Sequence, residues 1–146
     1  MLPLLVESQD IRPDSPRNRA SPRREQSVAR SDTAAHPSPT ISTHVLDLET
    51  GAPAAGVNVV LFRRGDDEEF EVVSEGETNA DGRISDLVNG KLIKGDYQLL
   101  FDLAEYRDED AFLQGLAVAL RITDSRRSYH VPLLLSPYGA SVYRGS

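Results

Sequence analysis

Leu116-Ala-Val-Ala-Leu-Arg-Ile122 sets Leu116, Val118, Leu120 and Ile122 on one side of an extended chain, with small or charged residues on the other. That period of two belongs to a strand with one buried face, whereas an amphipathic helix repeats its apolar residues every three or four. The alternation recurs upstream. Tyr97, Leu99, Phe101 and Leu103 share a side in Tyr97-Gln-Leu-Leu-Phe-Asp-Leu103, as do Val57, Val59 and Leu61 in Val57-Asn-Val-Val-Leu-Phe62. Ser42-Thr-His-Val-Leu-Asp47 and Phe70-Glu-Val-Val73 are shorter runs rich in β-formers. Between the runs, Glu49-Thr-Gly-Ala-Pro53 and Asn79-Ala-Asp-Gly-Arg83 carry turn chemistry. Tyr129-His-Val-Pro-Leu-Leu-Leu135 is strand-like but contains Pro132. Proline has no N–H for a ladder, so this strand is expected at a sheet edge or with a bulge. Many short strands separated by turns specify an all-β sandwich. One stretch departs from the pattern: Leu103-Ala-Glu-Tyr-Arg-Asp-Glu-Asp-Ala-Phe112 is made of helix formers, and a short helix is expected there before Gly115.

The 146 residues allow one domain and a tail. Residues 1–40 hold six of the nine prolines, none of the ten glycines, and six arginines against five acidic residues. Without a sustained apolar period, such a segment buries too little surface to offset its ordering entropy, so it is expected to be disordered. A secretory signal is disfavoured, because MLPLLVES lacks a basic flank and a long apolar run. Five acidic residues count against a transit peptide despite the abundance of Arg and Ser. No role falls on His36 in this segment. Residues 41–146 carry ten basic and eighteen acidic residues, enough chain for one core. With a net charge of −7, the chain lacks the clustered cations of non-specific nucleic-acid binding. It has no apolar run of membrane-spanning length. The absence of cysteine removes disulfides, thiolate metal sites and cysteine nucleophiles. Cytoplasm is the default location in the absence of an export signal or a peroxisomal ending.

Two of the three histidines fall in strands of the domain: His44, on the same face as Ser42 and Leu46, and His130, near Pro132. Arg83 follows the Asp81-Gly82 turn, and the sequence ends Tyr143-Arg-Gly-Ser146. Each has a plain explanation by itself: a hydrogen-bonded strand histidine, an exposed arginine, a frayed terminus. The acidic runs Asp66–Glu69 and Asp108–Asp110 lack calcium-loop spacing and read as solvated loop charge. Composition and spacing alone leave an acidic β-domain.

Three runs together resemble the transthyretin-like family: Ile41-Ser-Thr-His-Val-Leu-Asp47, Gly51-Ala-Pro-Ala-Ala-Gly-Val57 and Thr78-Asn-Ala-Asp-Gly-Arg83. The ending Tyr129-His-Val-Pro-Leu-Leu-Leu-Ser-Pro-Tyr-Gly139 followed by Tyr143-Arg-Gly-Ser146 is similar to that of its hydroxyisourate-hydrolase branch. The resemblance runs from Ile41 to Ser146. It implies a prealbumin-type two-sheet sandwich with one short helix, assembled as a homotetramer with active sites at the dimer–dimer interface. It implies hydrolysis of 5-hydroxyisourate without metal or other cofactor. By motif match, the catalytic residues fall on His44, Arg83 and His130, and Tyr143, Arg144 and Ser146 line the substrate pocket. Two stretches depart from the family pattern: Phe112 to Leu120 lacks the usual aromatic-Pro pair, and Ala140-Ser141-Val142 stands where Tyr-Ser-Thr is usual. The residue types suit the reaction. Opening a ring at an amide-like C–N bond needs an activated water, a donor to the developing oxyanion and a proton for the leaving nitrogen. Histidine exchanges protons near neutrality, and arginine offers a permanently charged planar fork. A zinc site needs a third protein ligand, and none stands beside the two histidines. The rival reading is a prealbumin-like module without catalysis, either a carrier of small hydrophobes or a structural sandwich. It leaves the joint occurrence of both histidines and Tyr-Arg-Gly-Ser unexplained.

Overall fold

A computed structural model describes residues 38–146, and every structural statement below concerns these. Nine strands form two sheets: β1 (Ile41–Asp47), β2 (Ala52–Pro53), β3 (Asn58–Arg64), β4 (Phe70–Glu77), β5 (Arg83–Ile84), β6 (Gly95–Asp102), β7 (Gly115–Ile122), β8 (Tyr129–Leu135) and β9 (Ala140–Val142). One sheet runs β2-β1-β8-β9, with β5 also paired to β1, and the other runs β4-β3-β6-β7. The expected two-sheet sandwich is therefore present. The segment expected to be disordered lies mainly outside the described residues, as does His36. Thr40 already belongs to the packed part: its N–H donates to Ser128 Oγ, its hydroxyl to Asp86, and its carbonyl accepts from Tyr129 N.

The alternation read from the sequence decides which faces meet. Val57, Val59, Leu61, Leu99, Phe101, Leu103, Val45 and Leu133 are all buried in one core between the sheets. In β1 the odd positions Ile41, Thr43, Val45 and Asp47 point inward, and Ser42, His44 and Leu46 stay half-buried on the outer face. Burying Thr43 costs its hydroxyl a water partner, and Val131 O replaces it at 2.7 Å.

Two local expectations are corrected. The first is the helix over Leu103–Phe112, since no helix exists among the described residues. Tyr106 N and Arg107 N both donate to Leu103 O, at 3.1 and 2.8 Å, which makes a single turn that does not propagate. The side chains explain why. Tyr106 Oη donates to Asp47 Oδ2 at 2.6 Å, and Arg107 reaches Glu49 at 3.2 Å and Asp47 at 3.8 Å. Both neighbours aim at the same end of β1, whereas successive helical residues diverge by roughly 100°. Asp108 to Asp110 would also set carboxylates against the negative end of a helix dipole.

The second is the edge position or bulge expected for the strand containing Pro132, whose register with β1 is continuous. β8 instead lies inside its sheet, between β1 and β9. Proline is tolerated because its missing N–H faces the thin side of the strand. Tyr143 N donates to Pro132 O at 3.4 Å and receives nothing in return. The named β9 ends one residue earlier, at Val142, and pairing resumes only at the His130–Gly145 bridge.

Asp47 is only 4% exposed. Burial pushes its pKa up, but the Tyr106 hydroxyl, the Glu49 N–H and the Arg107 charge outweigh burial and hold the carboxyl below its ordinary value of 3.8. The same bond and burial push the Tyr106 phenol up to about 12. A carboxylate with a depressed native pKa stabilises the fold above its unfolded pKa, and that contribution is lost as pH falls through the native one. Tyr106→Phe is expected to cost about 1–3 kcal/mol at pH 7 by urea unfolding. The penalty is expected to shrink below pH ~3.8, once Asp47 is protonated.

Candidate active site

β1 places the site because both of its edges are paired. On one edge, parallel β8 sets His130 opposite Ser42 and Pro132 opposite His44. On the other, antiparallel β5 sets Arg83 opposite His44. Residues opposite one another in a ladder share a face, and adjacent strands lie ~4.8 Å apart. Arg83, His44, Ser42 and His130 thus stand on the outer face of three neighbouring strands.

Arg83 is held there by its turn. Asn79 Oδ1 accepts from Asp81 N at 2.9 Å and from Arg83 N at 3.0 Å, while Gly82 N donates to Asn79 O at 2.8 Å. Gly82 has φ +72°, and a Cβ on it would lie 2.5 Å from Val45 O. Only glycine fits the αL conformation against that backbone, so the turn closes tightly enough for Val45 N to bond Gly82 O at 2.8 Å.

His130 is half-buried, and its Nδ1 lies 2.9 Å from Ser42 Oγ. Burial first, then the positive charge of Arg83 and proximity to His44, hold its pKa below the ordinary 6.5. At neutral pH it is the uncharged imidazole, able to accept a proton. The C-terminal segment closes over it. Gly145 N donates to His130 O at 2.7 Å, and a Cβ on Gly145 would sit 2.7 Å from His130 Cδ2 and 3.3 Å from Pro132 Cγ. The missing side chain lets the backbone lie against the ring.

Of the six residues expected from sequence, His44, Arg83 and His130 are brought together. Ser146 follows Gly145 and is exposed. Tyr143 and Arg144 line a different cleft, of about 410 Å³, between β7 and the β8–β9 side, with Leu120, Ile122, Tyr129 and Val142. None of His44, Arg83 and His130 lines that cleft. The acidic run Asp66–Glu69 is exposed loop, and among the described residues no three His, Asp or Glu side chains are grouped as metal ligands. Sequence reasoning placed Ser42 on the histidine face without giving it a partner, and passed over the bare Cα of Gly145. The signal for Ser42 was its i−2 spacing from His44. The register that brings in His130 was not visible.

Comparison with known proteins gives a family and several relatives. The profile of the HIUase/transthyretin family matches residues 41–145. A curated 5-hydroxyisourate hydrolase of Salmonella typhimurium is 42% identical over 110 residues, covering 73% of this chain and 80% of that protein. The structure of Klebsiella pneumoniae 5-hydroxyisourate hydrolase superposes with a TM-score of 0.63 at 36% identity, covering 74% of this chain and 99% of that one. The crystal structure of (S)-allantoin synthase gives a TM-score of 0.65 at 31% identity, covering 75% of this chain but only 44% of that one.

NMR titration of the His130 ring is expected to give a midpoint below 6.5. Arg83→Gln is expected to raise that midpoint, because it removes a neighbouring positive charge. A midpoint above 6.5, or one that does not respond to Arg83→Gln, contradicts the electrostatics described for the face.

Proposed function

The chain belongs to the HIUase/transthyretin family, and on that premise we infer that it is a 5-hydroxyisourate hydrolase of urate catabolism. It opens the six-membered ring of its substrate to give 2-oxo-4-hydroxy-4-carboxy-5-ureidoimidazoline. The observation that carries the mechanism is the placement of two histidines and one arginine on a single face, by the register of β5, β1 and β8.

In this reading one imidazole takes a proton from water, and the hydroxide adds to the ring carbonyl carbon. Charge builds on the carbonyl oxygen, to which the Arg83 guanidinium donates. As the tetrahedral centre collapses, the C–N bond breaks and the leaving nitrogen takes a proton from an imidazolium. Support for His130 as the base comes from its depressed pKa, which leaves its lone pair free at neutral pH. His44, directly opposite Arg83, is placed to hold the substrate or to return the proton. Ser146 completes the substrate pocket in this reading, and Tyr143 and Arg144, which within one chain line a separate cleft, reach that pocket only through the assembly of subunits; no cofactor takes part. Arg83 supplies the local positive charge that draws an anionic purine to a domain of net acidic character. The working form is a homotetramer, which turns the open histidine face into an enclosed cleft, and the protein acts in the cytoplasm. Among the described residues no helix is long and apolar enough to cross a membrane.

The test is the decay of freshly generated 5-hydroxyisourate, followed by ultraviolet absorbance and corrected for spontaneous hydrolysis. The wild-type protein is expected to accelerate it. His44→Ala and His130→Ala are each expected to lower kcat about 10²–10⁴-fold, and Arg83→Glu about 10²–10³-fold. A folded wild-type protein that does not accelerate the decay overturns the function. Full activity in all three variants overturns the assignment of residues.

A further inference from the structure

Among the described residues Ser42 is the one side chain that hydrogen-bonds the ring of His44 or His130, and neither the family match nor the mechanism above gives it a task. Its Oγ lies 2.9 Å from His130 Nδ1. The contact is built into the fold, since Ser42 and His130 are directly opposite in the parallel β1–β8 ladder, whose seven consecutive pairs leave no freedom of register. On the opposite flank, Gly145 packs against the same ring, so the imidazole can neither swing out nor rotate without losing the bond.

We propose that Ser42 is a positioning residue that holds His130 by Nδ1, presents Nε2 to the substrate, and permits that one ring to act as base and then as acid. The reading rests on the hydrolase function above. A hydroxyl is both donor and acceptor. When Nε2 carries the lone pair that takes the proton from water, Nδ1 bears hydrogen and Ser42 accepts it. In the imidazolium that results, Nδ1–H still donates to Ser42. When Nε2 has returned a proton to the leaving nitrogen, the original tautomer is restored and nothing has to turn over. If the neutral ring instead carries hydrogen on Nε2, the Ser42 hydroxyl rotates and donates to Nδ1. No proton is left without a partner in any of these states, and none leaves the ring through Ser42.

The choice of a hydroxyl over a carboxylate has a consequence. A carboxylate at this distance favours the imidazolium and raises the histidine pKa, whereas a serine holds the ring without adding charge. The charged or titratable groups that act on His130 are Arg83 from β5 and His44 from β1, and neither is a carboxylate. With Ser42 as its in-register neighbour, His130 stays neutral and basic at Nε2.

Three substitutions test this, each read by kinetics and by ¹⁵N NMR of the His130 ring. Ser42→Ala is expected to lower kcat about tenfold with little change in KM, and to mix the two ring tautomers. Ser42→Thr keeps a hydroxyl at the same atom and is expected to restore most of kcat and the single tautomer. Ser42→Asp is expected to raise the His130 titration midpoint and to shift the acid limb of kcat/KM upward with it. A purely structural serine moves neither the tautomer nor the acid limb. Unchanged kcat and ring shifts in Ser42→Ala, or an unmoved midpoint in Ser42→Asp, overturns the proposal. The ring spectra are read without substrate, so a failure of the hydrolase reading shows in the wild-type rate and a failure of this proposal shows in the spectra.

Discussion

The parallel pairing of β1 with β8 is the constraint on which the site depends. It runs unbroken from Ile41 opposite Tyr129 to Asp47 opposite Leu135. Ile41, Val45, Val131, Leu133 and Leu135 bury one side of it, so a slip by one residue would turn that whole apolar set to solvent. The core therefore fixes the register, and the register fixes which polar residues meet on the other side. Each ladder position whose inner neighbour is locked by packing presents its outer side chain at a defined place. Ser42, His44 and His130 owe their mutual positions to apolar residues on the other face of the ladder, and Arg83 joins them because β5 closes on β1 through a glycine turn.

Much of this was legible in the sequence. The alternation in β3, β6 and β7 identified strands and their buried faces, because a two-residue period survives any register. Motifs placed His44, Arg83 and His130. What the sequence could not show was contact between elements. The Tyr106–Asp47 and Arg107–Glu49 bonds join residues nearly sixty positions apart, and they outweigh the local helix preference of Leu103–Phe112. Pro132 argued correctly for a missing ladder bond and wrongly for an edge. The gap lies between β8 and the chain end after Val142, a partner too short to be recognised from sequence. Ser42 and Gly145 were missed for the same reason: their importance lies across the ladder, in His130.

The outer face also keeps an imidazole neutral beside a permanent cation. Arg83 is exposed, while His130 is half-buried between Ser42 and Gly145. The guanidinium raises the cost of an imidazolium nearby without having to be buried itself. In the proposed mechanism one arrangement serves two steps: the Arg83 charge that stabilises the oxyanion also adds to burial in holding His130 unprotonated.

The most direct test of this account is the pH dependence of kcat/KM for 5-hydroxyisourate, corrected for the spontaneous reaction at each pH. The account predicts an acid limb with its midpoint below 6.5, in step with the NMR titration of His130, and a plateau through neutrality. A midpoint above 6.5, or a rate that falls as pH rises through 7, would show that the charged ring is the working form and would contradict it.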